Sequence, residues 1–135
     1  MSNLDKNAIS LAGEFAVLSQ LALRGYDANM TLGYTKGVDI LVSNPRSGRM
    51  LKVEVKTSYG GKPTHSKDFG YTLSWVMGAK HESMADPSLY YCFVNIERQT
   101  NVFRFFIVPS AIVSRYVKEQ HEHWLAQHKR GRRLV

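Results

Sequence analysis

The first long pattern in the chain is helical. From Asn7 to Arg24, the residues Leu11, Phe15, Leu18 and Ala22 recur at the i, i+4, i+7, i+11 spacing of one apolar stripe. Asp5 or Asn7 supplies an N-cap, and Arg24-Gly25 reads as the last turn followed by the C′ glycine. At about 100° per residue, Glu14 falls roughly 60° from the stripe centre, on the border between core and solvent. From there a carboxylate can reach over the sheet on which the helix packs. An ordinary boundary glutamate occupies the same position.

The period then changes to two. Gly37 to Ser43 and Met50 to Thr57 alternate as two strands around Asn44-Pro45-Arg46-Ser47-Gly48-Arg49, whose Asn-Pro and Ser-Gly pairs are turn dipeptides. With the loop symmetric about Arg46 and Ser47, Asp39 stands directly opposite Glu54, with Cβ atoms about 4.5–5.5 Å apart. Lys56 projects from the same face as Glu54. The other face carries Val38, Ile40 and Val42 against Leu51, Val53 and Val55. One side is core; two carboxylates and an ammonium gather on the other.

Tyr59 to Gly70, rich in Gly, Lys, Ser, Thr and His, reads as a long connection. Its Lys62, His65 and Lys67 suit either a phosphate backbone or plain solvation. Tyr71 to Met84 is expected to be extended and then helical, ended by Asp86-Pro87; Lys80 and His81 on it either extend the site or, the favoured reading, face solvent. Leu89 to Ile96 and Val102 to Val108 are apolar at nearly every position, the pattern of strands covered on both faces. Pro109 stops the second, and Ser110 caps a final helix with Val113, Val117, Gln120 and Trp124 on one face, Trp124 serving as a core anchor. His121, His123 and His128 lack the i, i+4 spacing of a two-histidine zinc helix and read as surface residues.

These elements predict an α/β fold: a central mixed β-sheet, opening antiparallel, flanked by a helix from each half. With 135 residues the chain reads as one domain over 1–135, and 128–135 as a basic tail. A formal charge of +7 points to a polyanionic partner, most simply nucleic acid. Lys129, Arg130, Arg132 and Arg133 concentrate that charge near the end, as a solubilising tail or a phosphate-binding arm. Cys92 is the one cysteine, which excludes an internal disulfide and a cysteine-rich zinc site. The N-terminus lacks a signal peptide's basic start and apolar core, and no apolar run approaches membrane-spanning length. A cytoplasmic protein is the expectation.

The chemistry turns on Asp39, Glu54 and Lys56. Two carboxylates held that close repel unless a cation sits between them. Lys56 can neutralise one; a divalent ion can serve both, and hard oxygen ligands suit Mg²⁺ or Mn²⁺. Val-Glu-Val-Lys alone also describes any half-exposed strand. Taken in order, however, Gly13-Glu14, Gly25-Tyr26, Gly37-Val38-Asp39-Ile40 and Val53-Glu54-Val55-Lys56-Thr57-Ser58 resemble the PD-(D/E)xK nuclease superfamily. The likeness is nearest to its small Holliday-junction-resolvase-like and restriction-endonuclease-like members, and covers Leu11 to Ser58. The proline of the family's motif is Val38 here, a backbone position rather than a ligand.

The resemblance implies a restriction-endonuclease-like core and a metal-dependent DNA endonuclease. Asp39, Glu54 and the Val55 carbonyl would hold Mg²⁺ or Mn²⁺. Lys56 would position or activate the attacking water, and Glu14 would be an accessory carboxylate. A metal so held lowers the pKa of bound water and neutralises charge developing on the phosphate. The rival is a catalytically silent module of the same fold that binds nucleic acid or a protein. A binding-only surface gains nothing from carboxylates facing a polyanion, which favours the enzyme. An RNA-processing enzyme fits the same residues. One site per chain makes a homodimer the natural way to cut two strands.

Overall fold

The computed structural model describes residues 4–31, 38–67 and 70–133, with 66, 70–72, 79 and 128–133 described by backbone alone. Gly37, the first residue of the expected hairpin, lies outside the described residues. The chain runs α1 (Lys6–Leu23), β1 (Asp27–Met30), β2 (Ile40–Ser43), β3 (Met50–Gly60), β4 (Thr64–Ser66) and β5 (Gly70–Thr72). A short 3₁₀ helix follows, η1 (Ala79–Ser83), then β6 (Leu89–Glu97), β7 (Phe103–Pro109) and α2 (Ser110–Arg133).

Five strands form one sheet in the order β1-β2-β3-β6-β7. β3 and β6 run parallel and the other pairs antiparallel, so the sheet is mixed. The register anticipated for β2 and β3 is the one observed, from Ile40 opposite Val53 to Ser43 opposite Met50. Its turn is built by Asn44, whose Oδ1 accepts the Arg46 N–H at 2.9 Å, and by Gly48, whose φ of 71° an L side chain rarely adopts.

Alternation along the central strands divides the interior in two. Val17 of α1 packs on Ile40, Val42, Val53, Val55, Cys92, Val94 and Ile96. On the reverse face, Leu89 and Tyr91 pack on Val113 and Val117 of α2. The β3–β6 pair is thus enclosed between the two helices, and burial pushes the Cys92 thiol up to about 11.

Several expectations need correction. α1 is capped as foreseen, with Asp5 Oδ1 accepting the Ala8 N–H at 2.7 Å, but it is rotated about its axis. Gly13 and Val17 are buried, while Leu11 and Phe15 remain 46% and 54% exposed. Closest approach decides this: a Cβ on Gly13 would stand 1.8 Å from Thr57 Oγ1, so only the glycine face can lie flat on β3. The 59–70 stretch is not simply a loop, since β3 continues to Gly60 and β4 pairs with β5 in a separate hairpin. β7 is apolar yet lies at the sheet edge, leaving Ile107 65% exposed. Trp124, at 55% exposed, is no core anchor, because α2 meets the sheet through Val113 and Val117. The α2 backbone reaches Arg133, so Lys129, Arg130, Arg132 and Arg133 stand on its last turns; their side chains lie outside the described residues.

Candidate functional site

The site begins where β2 stops and β3 continues. Asp39 donates its N–H to the Val53 carbonyl at 2.9 Å, although Val53 already faces Ile40. Two residues therefore oppose one, the signature of a β-bulge. Thr31 holds the bend, its N–H donated to the Asp39 carbonyl at 2.9 Å and its hydroxyl to the Val38 carbonyl at 2.7 Å. The extra residue reverses the alternation upstream. Val38, expected beside Ile40 and Val42, instead lines a small recess with Lys52, Met84, Asp86 and Leu89. Asp39 is likewise not the ladder partner of Glu54. Its carboxylate turns to the strand edge, where Oδ2 accepts the Val55 N–H at 2.6 Å. A strand residue directs its N–H and C=O to the same edge, so the Val55 carbonyl faces the space beside Asp39.

Glu54 and Lys56 project toward the α2 side, as their positions opposite Tyr91 and Phe93 require. Glu54 is buried, with Oε1 3.4 Å from Lys56 Nζ. Its other oxygen, Oε2, is buried with no hydrogen-bond partner. Burial, then the Asp39 charge, raise the Glu54 pKa, while Lys56 and Lys80 pull the other way. Glu14 comes from α1, beside the glycine that seats the helix. Its side chain hydrogen-bonds Asp39, and its pKa is pushed up to about 7 by burial first, then by Asp39, then by the Glu54 charge. Glu14, Asp39 and Glu54, from a helix, a bend and a strand, thus bear on one another's charge, with Lys56 paired to Glu54.

A carboxyl raised in this way, as Glu14 is, holds a proton beside a second carboxylate, a place that a cation can take over. The orphaned Glu54 oxygen, the Asp39 carboxylate and the Val55 carbonyl edge make an all-oxygen donor set of the kind hard divalent ions prefer. Among the described residues, no three His, Cys, Asp or Glu side chains form a ready-made cage. Mg²⁺ does not require one, since it keeps several waters and takes one or two carboxylates.

Sequence reasoning set the wall on the α2 side second to plain solvent exposure. His81, expected in solvent, is 1% exposed, and its Nδ1 lies 2.6 Å from the hydroxyl of Tyr91, the neighbour of Glu54 on β6. Burial, then the charges of Lys56 and Lys80, lower the His81 pKa to about 4, so the ring is neutral. Burial and the Glu54 charge push the Tyr91 phenol up to about 12. No spacing rule joins His81 to Tyr91; only the β3–β6 pairing brings them to Glu54.

Lys62 and Lys67 are exposed on the connections flanking β4 and are not among the groups whose charges bear on Glu14 or Glu54. His121 is paired, with Nδ1 2.5 Å from Glu82 Oε1. An apolar groove of about 650 Å³ runs elsewhere, lined by Trp75, Phe93, Phe106 and Tyr116. Among the described residues no helix is long and apolar enough to cross a membrane.

No family model and no curated protein matches this chain. Among solved structures a bacterial homing endonuclease is similar, over 81% of this chain and 72% of that one, at 14% identity and a TM-score of 0.49.

Proposed function

We propose that this protein is a metal-dependent endonuclease that hydrolyses phosphodiester bonds in DNA. The observation that carries the reading is the meeting of Glu14, Asp39 and Glu54 beside Lys56, with one buried Glu54 oxygen left without a partner. Leaving a carboxylate oxygen buried and unpaired is costly, and a cation removes that cost. The order of the four residues along the chain, which resembles the PD-(D/E)xK motif, agrees with it.

Asp39, Glu54 and the Val55 carbonyl would hold Mg²⁺ or Mn²⁺, which when bound supplies Lewis acidity at the phosphate and activates water. The remaining work falls to the chain. Lys56, tethered by Glu54 at 3.4 Å, stands where it can orient a water or clamp a phosphate oxygen. Glu14 holds a proton against Asp39 and yields it when a cation arrives. The Val55 N–H fixes the Asp39 carboxylate, so its second oxygen is aimed before any ligand binds. A homodimer, one site for each strand, completes the proposal.

The test is incubation of plasmid, linear duplex, branched DNA and RNA with Mg²⁺, with Mn²⁺ and with chelator. Metal-dependent cutting of DNA is the expected result. Binding without cutting in either metal would favour the silent module, and cutting of RNA alone would move the substrate.

A further inference from the structure

The 3₁₀ helix between β5 and β6 has no part in the hydrolytic motif, yet it is fixed from two sides. Toward the sheet, His81 is buried with its Nδ1 2.6 Å from Tyr91 Oη, and the rings meet edge-on at 5.5 Å. Tyr91 is the Cα partner of Glu54 in the parallel ladder, so this bond pins η1 to the strand position beside Glu54. Toward α2, Glu82 pairs with His121 at 2.5 Å, and its carbonyl accepts the Ser114 hydroxyl. The five-residue turn is thus held by a buried contact at one residue and a side-chain hydrogen bond at the next. Lys80 immediately precedes His81 and is exposed.

We propose that η1 forms the second wall of the site: anchored by His81–Tyr91 and Glu82–His121, it presents Lys80 to a phosphate of the nucleic-acid backbone bound at Glu54 and Lys56. The inference rests on the nuclease reading and adds a substrate contact to it. The Lys80 charge already acts on the Glu54 carboxylate and on His81, which fits a lysine overhanging that edge. Lys56 and Lys80 would then approach the polyanion from two elements, β3 and η1. Together they offset the carboxylates that otherwise repel it.

Binding of a fluorescein-labelled DNA duplex in chelator, over a range of salt, reads the contact without requiring cleavage. Lys80→Ala should weaken binding severalfold at low salt and lower the slope of log K against log salt by about 0.9, one phosphate contact. Lys80→Arg should restore both. Arg46→Ala removes the same charge from the exposed β2–β3 turn and should leave the slope closer to wild type. In cleavage assays Lys80→Ala should raise KM with kcat little changed, the mark of lost uniform binding. Tyr91→Phe frees the His81 end of the wall, and if it folds it should weaken binding in the same direction. A Lys80→Ala protein with wild-type affinity and slope, or one matched by Arg46→Ala, overturns this inference and leaves the nuclease reading standing. A wild-type protein that neither binds nor cuts nucleic acid overturns both.

Discussion

Gly13 of α1 and Thr57 of β3 meet so closely that a Cβ on the glycine would lie 1.8 Å from the threonine hydroxyl. That contact sets the height of the helix above the sheet, and Glu14 is the next residue along. Gly13→Ala should lift α1 and draw Glu14 away from Asp39. The expected cost is about 1–3 kcal/mol of stability from overpacking, read by urea denaturation, with loss of metal-dependent cleavage in whatever remains folded. Thr57→Gly in the same chain should recover part of both. An alanine variant as stable as wild type would show that the helix is not seated on this contact.

Asp39→Asn should separate chemistry from binding. The amide retains an acceptor for the Val55 N–H but removes the charge that a hard cation needs. Cleavage should fall by about a hundredfold or more, as when one stabilising group of a reaction centre is lost. Affinity for DNA in chelator should hold or rise, because less negative charge faces the phosphate. Lys56→Ala should also stop cleavage but weaken binding. Variants moving affinity in the same direction would contradict the assignment of the two residues.

Two of the shifted groups of the site, Glu14 and His81, act on stability with opposite signs. Glu14, raised from 4.5 to about 7, binds more protons folded than unfolded between those values. Its contribution is full below pH 4.5 and is lost as pH rises through about 7. His81, lowered from 6.5 to about 4, binds fewer protons folded. Its contribution is present above pH 6.5 and is lost as pH falls through about 4. In chelator, the Glu14→Gln variant should therefore lose stability as pH falls from 7 toward 5, whereas in wild type protonation of Glu14 offsets the His81 loss. Urea midpoints at half-unit pH steps measure the difference. Mg²⁺ should raise the melting temperature more at pH 8 than at pH 6, since at the lower pH it competes with the Glu14 proton.

Ser110 opens α2 and ties it to the segment before β6. Its hydroxyl donates to the Asp86 carbonyl at 2.7 Å and accepts the Asp86 N–H at 2.9 Å. Being buried, it has no water to replace those bonds. Ser110→Ala should cost about 1–3 kcal/mol, chiefly by leaving the Asp86 N–H without an acceptor, since the Asp86 carbonyl keeps the Leu89 N–H. Denaturation at neutral pH checks it; a change within about 0.5 kcal/mol, as at an ordinary surface site, would be contrary.

How far the fold can be read in advance depends on how far apart the deciding atoms lie. The β2–β3 register is legible because Asn44, Gly48 and the alternating valines all act within one hairpin. The bulge at Asp39 is not, since Thr31, just past the end of β1, holds it. The stripe of Leu11 and Phe15 misleads about α1 because side-chain size marks what prefers burial, whereas Gly13 against Thr57 decides what can approach. Ile107 and Trp124 carry the composition of a core and lie at an edge and beyond the sheet, a difference set by where the neighbouring strands end. The order of Glu14, Asp39, Glu54 and Lys56 along the chain is what resembles the motif, and the charge that Asp39 exerts on both glutamates is what the fold adds. The His81 wall depends on a parallel pairing between strands far apart in sequence, and no local pattern announces it.

β3 has eleven residues and β2 has four, so among the described residues no strand pairs with the β2 margin of β3 past Val53. An uncovered margin is a template on which a foreign strand can grow. Asp39 stops that growth, since its carboxylate takes the Val55 N–H that an intruding strand would need. The residue proposed to hold a metal would thus also guard that margin against a second copy. Alanine at 39 would leave that N–H open and yield a chain prone to association, whereas asparagine would leave it soluble.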